Sequence, residues 1–180
     1  MPSGAVTPSR PLDVSRRAKF RRRFLVDNLG EIECRVLGFG ALDNPTFLKS
    51  EDDVYFADFF SQRESVDRHR SNAAHSWSKI IPVDYLLRDR SISEAVSWPG
   101  DLIIANHVIE HTPIRWLQNL RAVAAPGGRL FLSVPDRRFT FDYFKPISDT
   151  VDWLRAHREE LTKPSFRQII PHLYYQAALI

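Results

Sequence analysis

The sequence of 180 residues has a single cysteine, Cys34, so no disulfide can form within the chain. It also lacks the cysteine and histidine spacing of a zinc site, the run of about 20 apolar residues that spans a membrane, and any internal repeat. No metal site and no transmembrane segment are therefore predicted. Hydrophobic residues make up 43% of the chain and charged residues 26%, as in a single globular domain. Together with the unpaired thiol, this composition predicts a cytoplasmic protein.

Basic residues are concentrated at the N terminus. The first 30 residues hold seven lysines or arginines against two aspartates, a net charge of +5, whereas the whole chain carries +3 and the other 150 residues therefore sum to −2. Residues 13–29 are predicted to form an amphipathic helix with the arginines opposite an apolar side that includes Phe24 and Leu25. Two interpretations follow: a solvated helix against the sheet, or a basic arm that contacts an anionic partner such as nucleic acid, a phosphorylated glycan or a membrane surface.

Residues 101–134 have the pattern of a strand, a helix and a second strand. An apolar, branched run ends at Ala105, Thr112 and Pro113 form a typical helix start, and a Pro-Gly-Gly turn at 126–128 ends the helix before the next apolar run. Such a unit connects parallel strands by a right-handed crossover. Further strands are predicted over residues 34–39, 54–57 and 83–87. The sequence therefore predicts an α/β fold with a doubly wound, mostly parallel sheet, whose ligands bind beyond the carboxyl ends of the strands.

Two features that follow the first strands indicate a nucleoside-binding site. Gly38 and Gly40 end the first strand, and a glycine lets the backbone approach a ligand or adopt a positive φ, which favours Gly40 as a cofactor contact. A dinucleotide fingerprint would require a third glycine where Asp43 stands, and that carboxylate would repel a pyrophosphate. Asp58 closes the second strand 18 residues after Gly40, where a carboxylate can accept hydrogen bonds from both ribose hydroxyls of an adenosine. The alternative for Asp58 is a helix N-cap or an exposed turn carboxylate.

Motifs around the fourth and fifth strands carry a family resemblance. The segment 103–113, with its Glu-His step, and the segment 125–135, with its Pro-Gly-Gly turn, resemble the fourth and fifth strand motifs of class I S-adenosylmethionine-dependent methyltransferases. Residues 135–144 resemble a subgroup of bacterial methyltransferase-domain proteins. The matching region covers residues 35–144. The resemblance implies a Rossmann-like methyltransferase sheet, of which five strands are recognisable here and the last two are absent or unrecognised.

The same resemblance implies a cofactor and a reaction. The cofactor is S-adenosylmethionine, and its methyl group passes to an oxygen or nitrogen of a small-molecule or glycan-type acceptor. The cofactor-binding positions that it implies are Gly38, Gly40, Asp58, Asp89, Ile92, Asn106 and His107. The family usually has an acidic residue where Gly38 stands, and bulkier residues follow Gly40 here. The alternative is therefore a non-catalytic methyltransferase-like remnant or binding module.

The residues after the third strand have two interpretations. By resemblance, Asp89 contacts the adenine amino group and Ile92 covers the adenine ring. Arg88 and Arg90 flank Asp89 and can instead hold it in a surface ion pair. The sequence from 91 to 94 is a capping box, Ser-x-x-Glu, which predicts a short helix.

His111 and Asp136 are the predicted catalytic residues, because either side chain can take a proton from an acceptor hydroxyl. The alternative for His111 is packing at the start of a helix with a hydrogen bond to the backbone. Arg137 and Arg138 either bind a carboxylate, phosphate or acidic sugar or belong to a solvated loop. The histidines of the polar segment 61–78 lack a metal-ligand pattern and are expected to be solvated.

The chain is predicted to divide into three parts. Residues 1–30 form the basic tail and helix, residues 31–145 the methyltransferase-like core, and residues 146–180 a helical C-terminal segment. In the last part, one capped helix is predicted from Asp149 and another, interrupted by Pro171, from Ser165. Because the final apolar run needs a partner surface, a homodimer is also predicted.

Overall fold

The computed structural model describes residues 15–112, 114–140, 147–161 and 165–177. Five parallel strands form one sheet in the order β3-β2-β1-β4-β5. They are β1 (Val36–Phe39), β2 (Val54–Asp58), β3 (Tyr85–Leu86), β4 (Gly100–Asn106) and β5 (Ala124–Ser133). The predicted α/β, doubly wound sheet is confirmed. The strand order reverses between β1 and β4, which is where such sheets open a cleft at their carboxyl edge.

Six helices accompany the sheet in the described part of the chain. They are α1 (Arg16–Leu29), α2 (Gln62–His69), α3 (Ile92–Ala95), α4 (Arg115–Arg121), α5 (Thr150–Arg158) and α6 (Phe166–Ala177). Capping boxes begin α2, α3 and α5, so the predicted starts of α3 and α5 are confirmed. The predicted interruption at Pro171 is wrong, because α6 continues through this residue.

Alternating apolar residues of the strands bury both faces of the sheet. Along β4, Leu102 and Ile104 point into a core with Leu25 of α1, whereas Ile103 and Ala105 point into a second core against α3 and α4. β1 and β4 are buried along nearly their whole length. Their near-continuous apolar runs therefore follow from helices that cover both faces.

The helix and turn predicted after β4 differ from the structure. A 3-10 turn at Ile109–His111 comes first, and Thr112 donates its hydroxyl to the Ile109 carbonyl at 3.3 Å instead of capping a helix. The Pro-Gly-Gly segment does not precede β5 but forms a bulge within it. Across this bulge the partner of Gly100 is Ala124, whereas the partner of Leu102 is already Arg129.

Helix α1 is confirmed, but its orientation is not the predicted one. Arg21 is only 7% exposed, whereas Phe24, predicted on the apolar side, is largely exposed and contacts the Phe131 ring at 6.0 Å between centroids. Arg21 donates from Nε to Thr46 Oγ1 at 2.9 Å and from Nη2 to the Asn44 carbonyl at 2.7 Å. The loop after β1 thus supplies acceptors that make burial of a guanidinium tolerable.

The two C-terminal helices leave large apolar side chains exposed, among them Val151, Leu154, Phe166, Ile170 and Leu173. No described strand pairs with the outer edge of β5. The predicted homodimer stays a prediction. In the described residues, no helix is long and apolar enough to cross a membrane. In the segment 135–144, which carries part of the family resemblance, the positions after residue 140 lie outside the described residues.

Candidate functional site

A cavity of about 1500 Å³ lies at the carboxyl ends of β1, β2 and β4. Strand ends contribute Gly40, Asp58 and Asn106, the first turn of α1 contributes arginines, and the start of α4 lies on another side. This is the edge at which doubly wound sheets bind their ligands. The position of the cavity is therefore the one that the strand pattern predicts.

Gly40 is required by the packing of the site. Its φ of +64° lies in the left-handed region, and a Cβ atom here would lie 2.4 Å from the Asn106 carbonyl oxygen and 2.5 Å from Cγ2 of Val108. The loop after β1 therefore crosses the end of β4 at backbone contact distance. Gly38 lies within β1, and a Cβ atom there would lie 3.0 Å from the Phe56 ring. Gly38 does not line the cavity, so its position gives no support to the predicted cofactor contact.

Asp58 lies at the end of β2 with its carboxylate in the cavity wall. Its Oδ1 atom accepts from the backbone N–H groups of Phe59 at 2.6 Å and Phe60 at 3.4 Å. Within the described residues Oδ2 has no hydrogen-bond partner. The following helix is capped by Ser61, so Asp58 is not its N-cap. Burial raises the pKa of Asp58, and the two N–H groups only partly oppose this.

Asp89 is exposed and lines the same cavity. Its flanking arginines bind elsewhere: Arg88 pairs with Glu64 at 2.9 Å and Arg90 donates to the Leu86 carbonyl. The surface ion pair considered for Asp89 is therefore absent from the described residues. Ile92 is buried in the core against α4 and does not line the cavity, so its position gives no support to a contact with adenine.

Two buried polar atoms of the cavity wall have no hydrogen-bond partner within the described residues. Asn106 is 5% exposed, and its Nδ2 donates to Thr46 Oγ1 at 3.3 Å, which leaves its Oδ1 unsatisfied. Nε1 of the buried Trp116 is also unsatisfied. Leaving such a group unpaired costs about 1–3 kcal/mol. Two residues of the cavity wall thus carry one acceptor and one donor that the described residues leave unsatisfied.

Of the two predicted catalytic residues, His111 lines the cavity and Asp136 does not. His111 is exposed, lines the cavity, and donates its backbone N–H to the Val108 carbonyl at 2.9 Å. His107, predicted to bind cofactor, also lines the cavity, has a φ of +53°, and places Nδ1 3.5 Å from Glu110 Oε1. Asp136 does not line the cavity, and both of its carboxylate oxygens lie 3.0 Å from Nε of Arg138. Its position gives no support to a catalytic role, and Arg138 is already paired.

Comparison with known proteins identifies the family. A family model described as a methyltransferase domain matches residues 12–176. The chain belongs to this methyltransferase domain family. No curated protein matches it. Among solved structures, it is similar to the ribosomal protein L11 methylase from Lactobacillus delbrueckii subsp. bulgaricus, with 17% identity and a TM-score of 0.38. That alignment covers 66% of this chain and 60% of the other, so this methyltransferase domain spans about three fifths of the length of that methylase.

The methyltransferase domain also contains an aspartate–histidine pair that the sequence did not predict. Nδ1 of His75 lies 3.2 Å from Oδ1 of Asp43, and Asp43 Oδ2 accepts from the Ser76 N–H at 2.7 Å. The His69 ring lies 4.6 Å from that of His75, and burial, followed by the charge of His75, lowers the pKa of His69. Asp43, His69 and His75 all line the cavity. The expectation of solvated histidines is therefore wrong for His75, which is held against the loop after β1.

Replacing Asp58 with asparagine is expected to stabilise the methyltransferase domain at neutral pH, because burial raises the pKa of Asp58. A carboxyl group whose pKa is raised by folding destabilises the folded state once it ionises. This cost is absent below the usual pKa of 3.8 and is complete above the folded-state pKa. Thermal unfolding between about pH 4 and pH 8 should show the advantage of the variant growing with pH. An equal loss of stability at every pH would contradict the assignment.

Proposed function

We propose that this methyltransferase domain binds S-adenosylmethionine in the cavity and transfers its methyl group to an oxygen or nitrogen of a small-molecule or glycan-type acceptor. The observation that carries the proposal is the placement of Asp58 in the cavity wall, 18 residues after Gly40. Its Oδ1 is fixed by two backbone N–H groups, and its Oδ2 has no partner in the described part of the chain. A carboxylate so placed is suited to the ribose hydroxyls of an adenosine.

The other cavity residues are chemically compatible with this cofactor. Asn106 presents a buried oxygen that lacks a donor, and the ammonium group of S-adenosylmethionine is a donor. Asp89 is free of its flanking arginines and can accept from an adenine amino group. His107 lines the cavity beside Asn106. Gly40 brings the backbone close to β4 with no side chain in the cavity.

Bound S-adenosylmethionine supplies a methyl group that is already activated by a positively charged sulfur. The protein residues then have to align the acceptor, which alone can contribute a large part of the rate. If the acceptor is a hydroxyl, its proton also needs a base. Four histidines line the cavity, and two of them are our candidates for the base: His75, oriented by Asp43, and His111, whose ring has no partner within the described residues. We assign proton transfer to one of these two and not to Asp136.

Calorimetric titration with S-adenosylmethionine and S-adenosylhomocysteine tests the proposal. We expect binding in the micromolar range, and Asp58→Ala should weaken it by about 100-fold, because hydrogen bonds to a charged group contribute about 1.5–3 kcal/mol each. Asp67→Ala is the matched control, since Asp67 is exposed on α2 and does not line the cavity.

The outcome separates the two functions that the sequence leaves open. Binding that is lost in Asp58→Ala and kept in Asp67→Ala supports a methyltransferase. A lack of binding by the unmodified protein at millimolar ligand would instead support the non-catalytic remnant or binding module.

A further inference from the structure

Two arginines of the cavity have side chains without a partner among the described residues. Arg16 and Arg17 form the first turn of α1, are exposed, and line the cavity. Neither guanidinium group makes a hydrogen bond or ion pair with any residue that the structure describes. Arg21, one turn further, also lines the cavity, but its guanidinium donates hydrogen bonds to Thr46 and Asn44. The unpaired positive charge is therefore at the rim of the cavity, on the first turn of the helix.

This placement is unfavourable for the helix itself. The N-terminal end of a helix carries a partial positive charge, so cations there cost about 0.3–1 kcal/mol each at a surface. The first turn of α1 contains no acidic residue that would offset the arginines. Burial, followed by the charge of Arg17, lowers the pKa of Arg21, so the two cations repel each other across this turn. Charges that break a local rule without an internal partner are typical of a binding site.

No described acidic residue of the cavity wall, Asp43, Asp58 or Asp89, forms an ion pair with Arg16 or Arg17. Arg88 and Arg115 are paired with Glu64 and Glu160, neither of which lines the cavity. Of the acidic residues in the wall, Asp43 is engaged by His75 and the Ser76 N–H. The positive potential at the start of α1 is therefore available to a bound anion.

The cavity has room for a second molecule. Pockets that hold one small ligand measure about 300–1,000 Å³, whereas this cavity measures about 1500 Å³. A single nucleoside would fill only part of this volume, and the first turn of α1 lines the same cavity as Asp58 and Asp89. The acidic side chains are those suited to the cofactor's hydroxyl and amino donors, and the unpaired arginines are suited to the opposite charge.

We propose that the methyl acceptor is an anion, and that Arg16 and Arg17 bind its carboxylate or phosphate group. The proposal rests on the methyltransferase function proposed above, because it assigns the second occupant of the same cavity. Planar guanidinium groups bind both kinds of anion in a bidentate way, which would also orient the acceptor. Arg137 and Arg138 were considered for such a role, with a solvated loop as the alternative; the pairing of Arg138 with Asp136 favours the start of α1 instead.

Titration of the full chain with inorganic phosphate and, separately, with succinate tests the proposal. Both are measured by calorimetry at constant ionic strength with S-adenosylhomocysteine at saturation. We expect at least one of the two anions to bind, and Arg16→Gln/Arg17→Gln to weaken its binding at least tenfold. Lys19→Gln/Arg23→Gln is the matched control, because it removes two charges from exposed positions of the same helix that do not line the cavity. Its anion affinity should stay within twofold of the unmodified protein.

Two results would overturn the proposal. One is that the unmodified protein binds neither anion, or that it binds the anion no more tightly than the Arg16/Arg17 variant and the Lys19/Arg23 control do. The other is a loss of S-adenosylhomocysteine affinity in the Arg16/Arg17 variant while 5′-methylthioadenosine, which has no carboxylate, binds as before. The arginines would then hold the carboxylate of the cofactor. If S-adenosylhomocysteine does not bind the unmodified protein, the proposed function fails, and anion titration of the protein alone still decides whether the arginines form an anion site.

Discussion

Gly40→Ala is expected to lower the free energy of unfolding by about 2–5 kcal/mol. One part is the left-handed backbone, which costs a residue with a Cβ atom about 1–2 kcal/mol. The other is overpacking, typically about 1–3 kcal/mol. A Cβ atom would lie 2.4 Å from the Asn106 carbonyl oxygen, and a backbone atom cannot move aside as a flexible side chain can. Either the loop after β1 or the end of β4 must shift.

Urea denaturation of both proteins measures this difference. Gly127→Ala is the matched control, because Gly127 also has a positive φ, +76°, but nothing lies within 4 Å of its Cβ position. The control should lose only the backbone part, about 1–2 kcal/mol. S-adenosylhomocysteine affinity should fall in Gly40→Ala alone, since the displaced strand end carries Asn106. Equal losses of stability in the two variants would mean that Gly40 and Asn106 are not in close contact.

Local patterns were enough to predict the sheet and part of the site. Strands β1, β2 and β4 are short apolar runs that the chain buries on both faces, and the capping box before α3 is complete within four residues. The place of Asp58 in the cavity wall could be predicted because its spacing from Gly40 is a property of the chain alone, whereas its contact with a cofactor stays a prediction. Gly40 was predicted for its backbone freedom, and the structure adds a reason in the contact with Asn106.

The residues that were missed depend on neighbours distant in sequence. Asp43 and His75 are 32 positions apart, so no motif joins them. Helical periodicity predicted that Arg21 faces solvent. It could not show that Asn44 and Thr46, in the loop after β1, provide hydrogen-bond acceptors for a buried guanidinium. Family resemblance predicted that Gly38 and Ile92 bind the cofactor. In the structure, a Cβ atom at Gly38 would point to the Phe56 ring, and the Ile92 side chain is part of the hydrophobic core. Apolar patterning predicts which elements exist, whereas the polar contacts between them require the tertiary structure.

Arg21→Ala is expected to lower the free energy of unfolding by about 2–4 kcal/mol, a large effect for one arginine. The side chain donates at 2.9 Å to Thr46 and at 2.7 Å to Asn44 from a position that is 7% exposed. Its removal leaves the Asn44 carbonyl without this donor and opens a void beside a packed helix. Arg23→Ala is the control: Arg23 lies on the same helix, is 84% exposed and pairs weakly with Asp27 at 3.6 Å, so the change should stay within about 0.5 kcal/mol.

Arg21→Ala should also weaken S-adenosylhomocysteine binding, because Arg21 is connected to Asn106 of the cavity wall through Thr46. Thr46 Oγ1 accepts from Arg21 Nε and from Asn106 Nδ2, so the arginine helps to fix the hydroxyl that orients the Asn106 amide. Without it, the amide of Asn106, whose oxygen lacks a partner in the described residues, is held less firmly in the cavity wall. Thr46→Val removes the shared hydroxyl and keeps Arg21, so it should reproduce the loss of affinity. A loss of stability in Arg21→Ala with unchanged affinity in both variants would show that the Arg21–Thr46–Asn106 chain serves the fold and not the site.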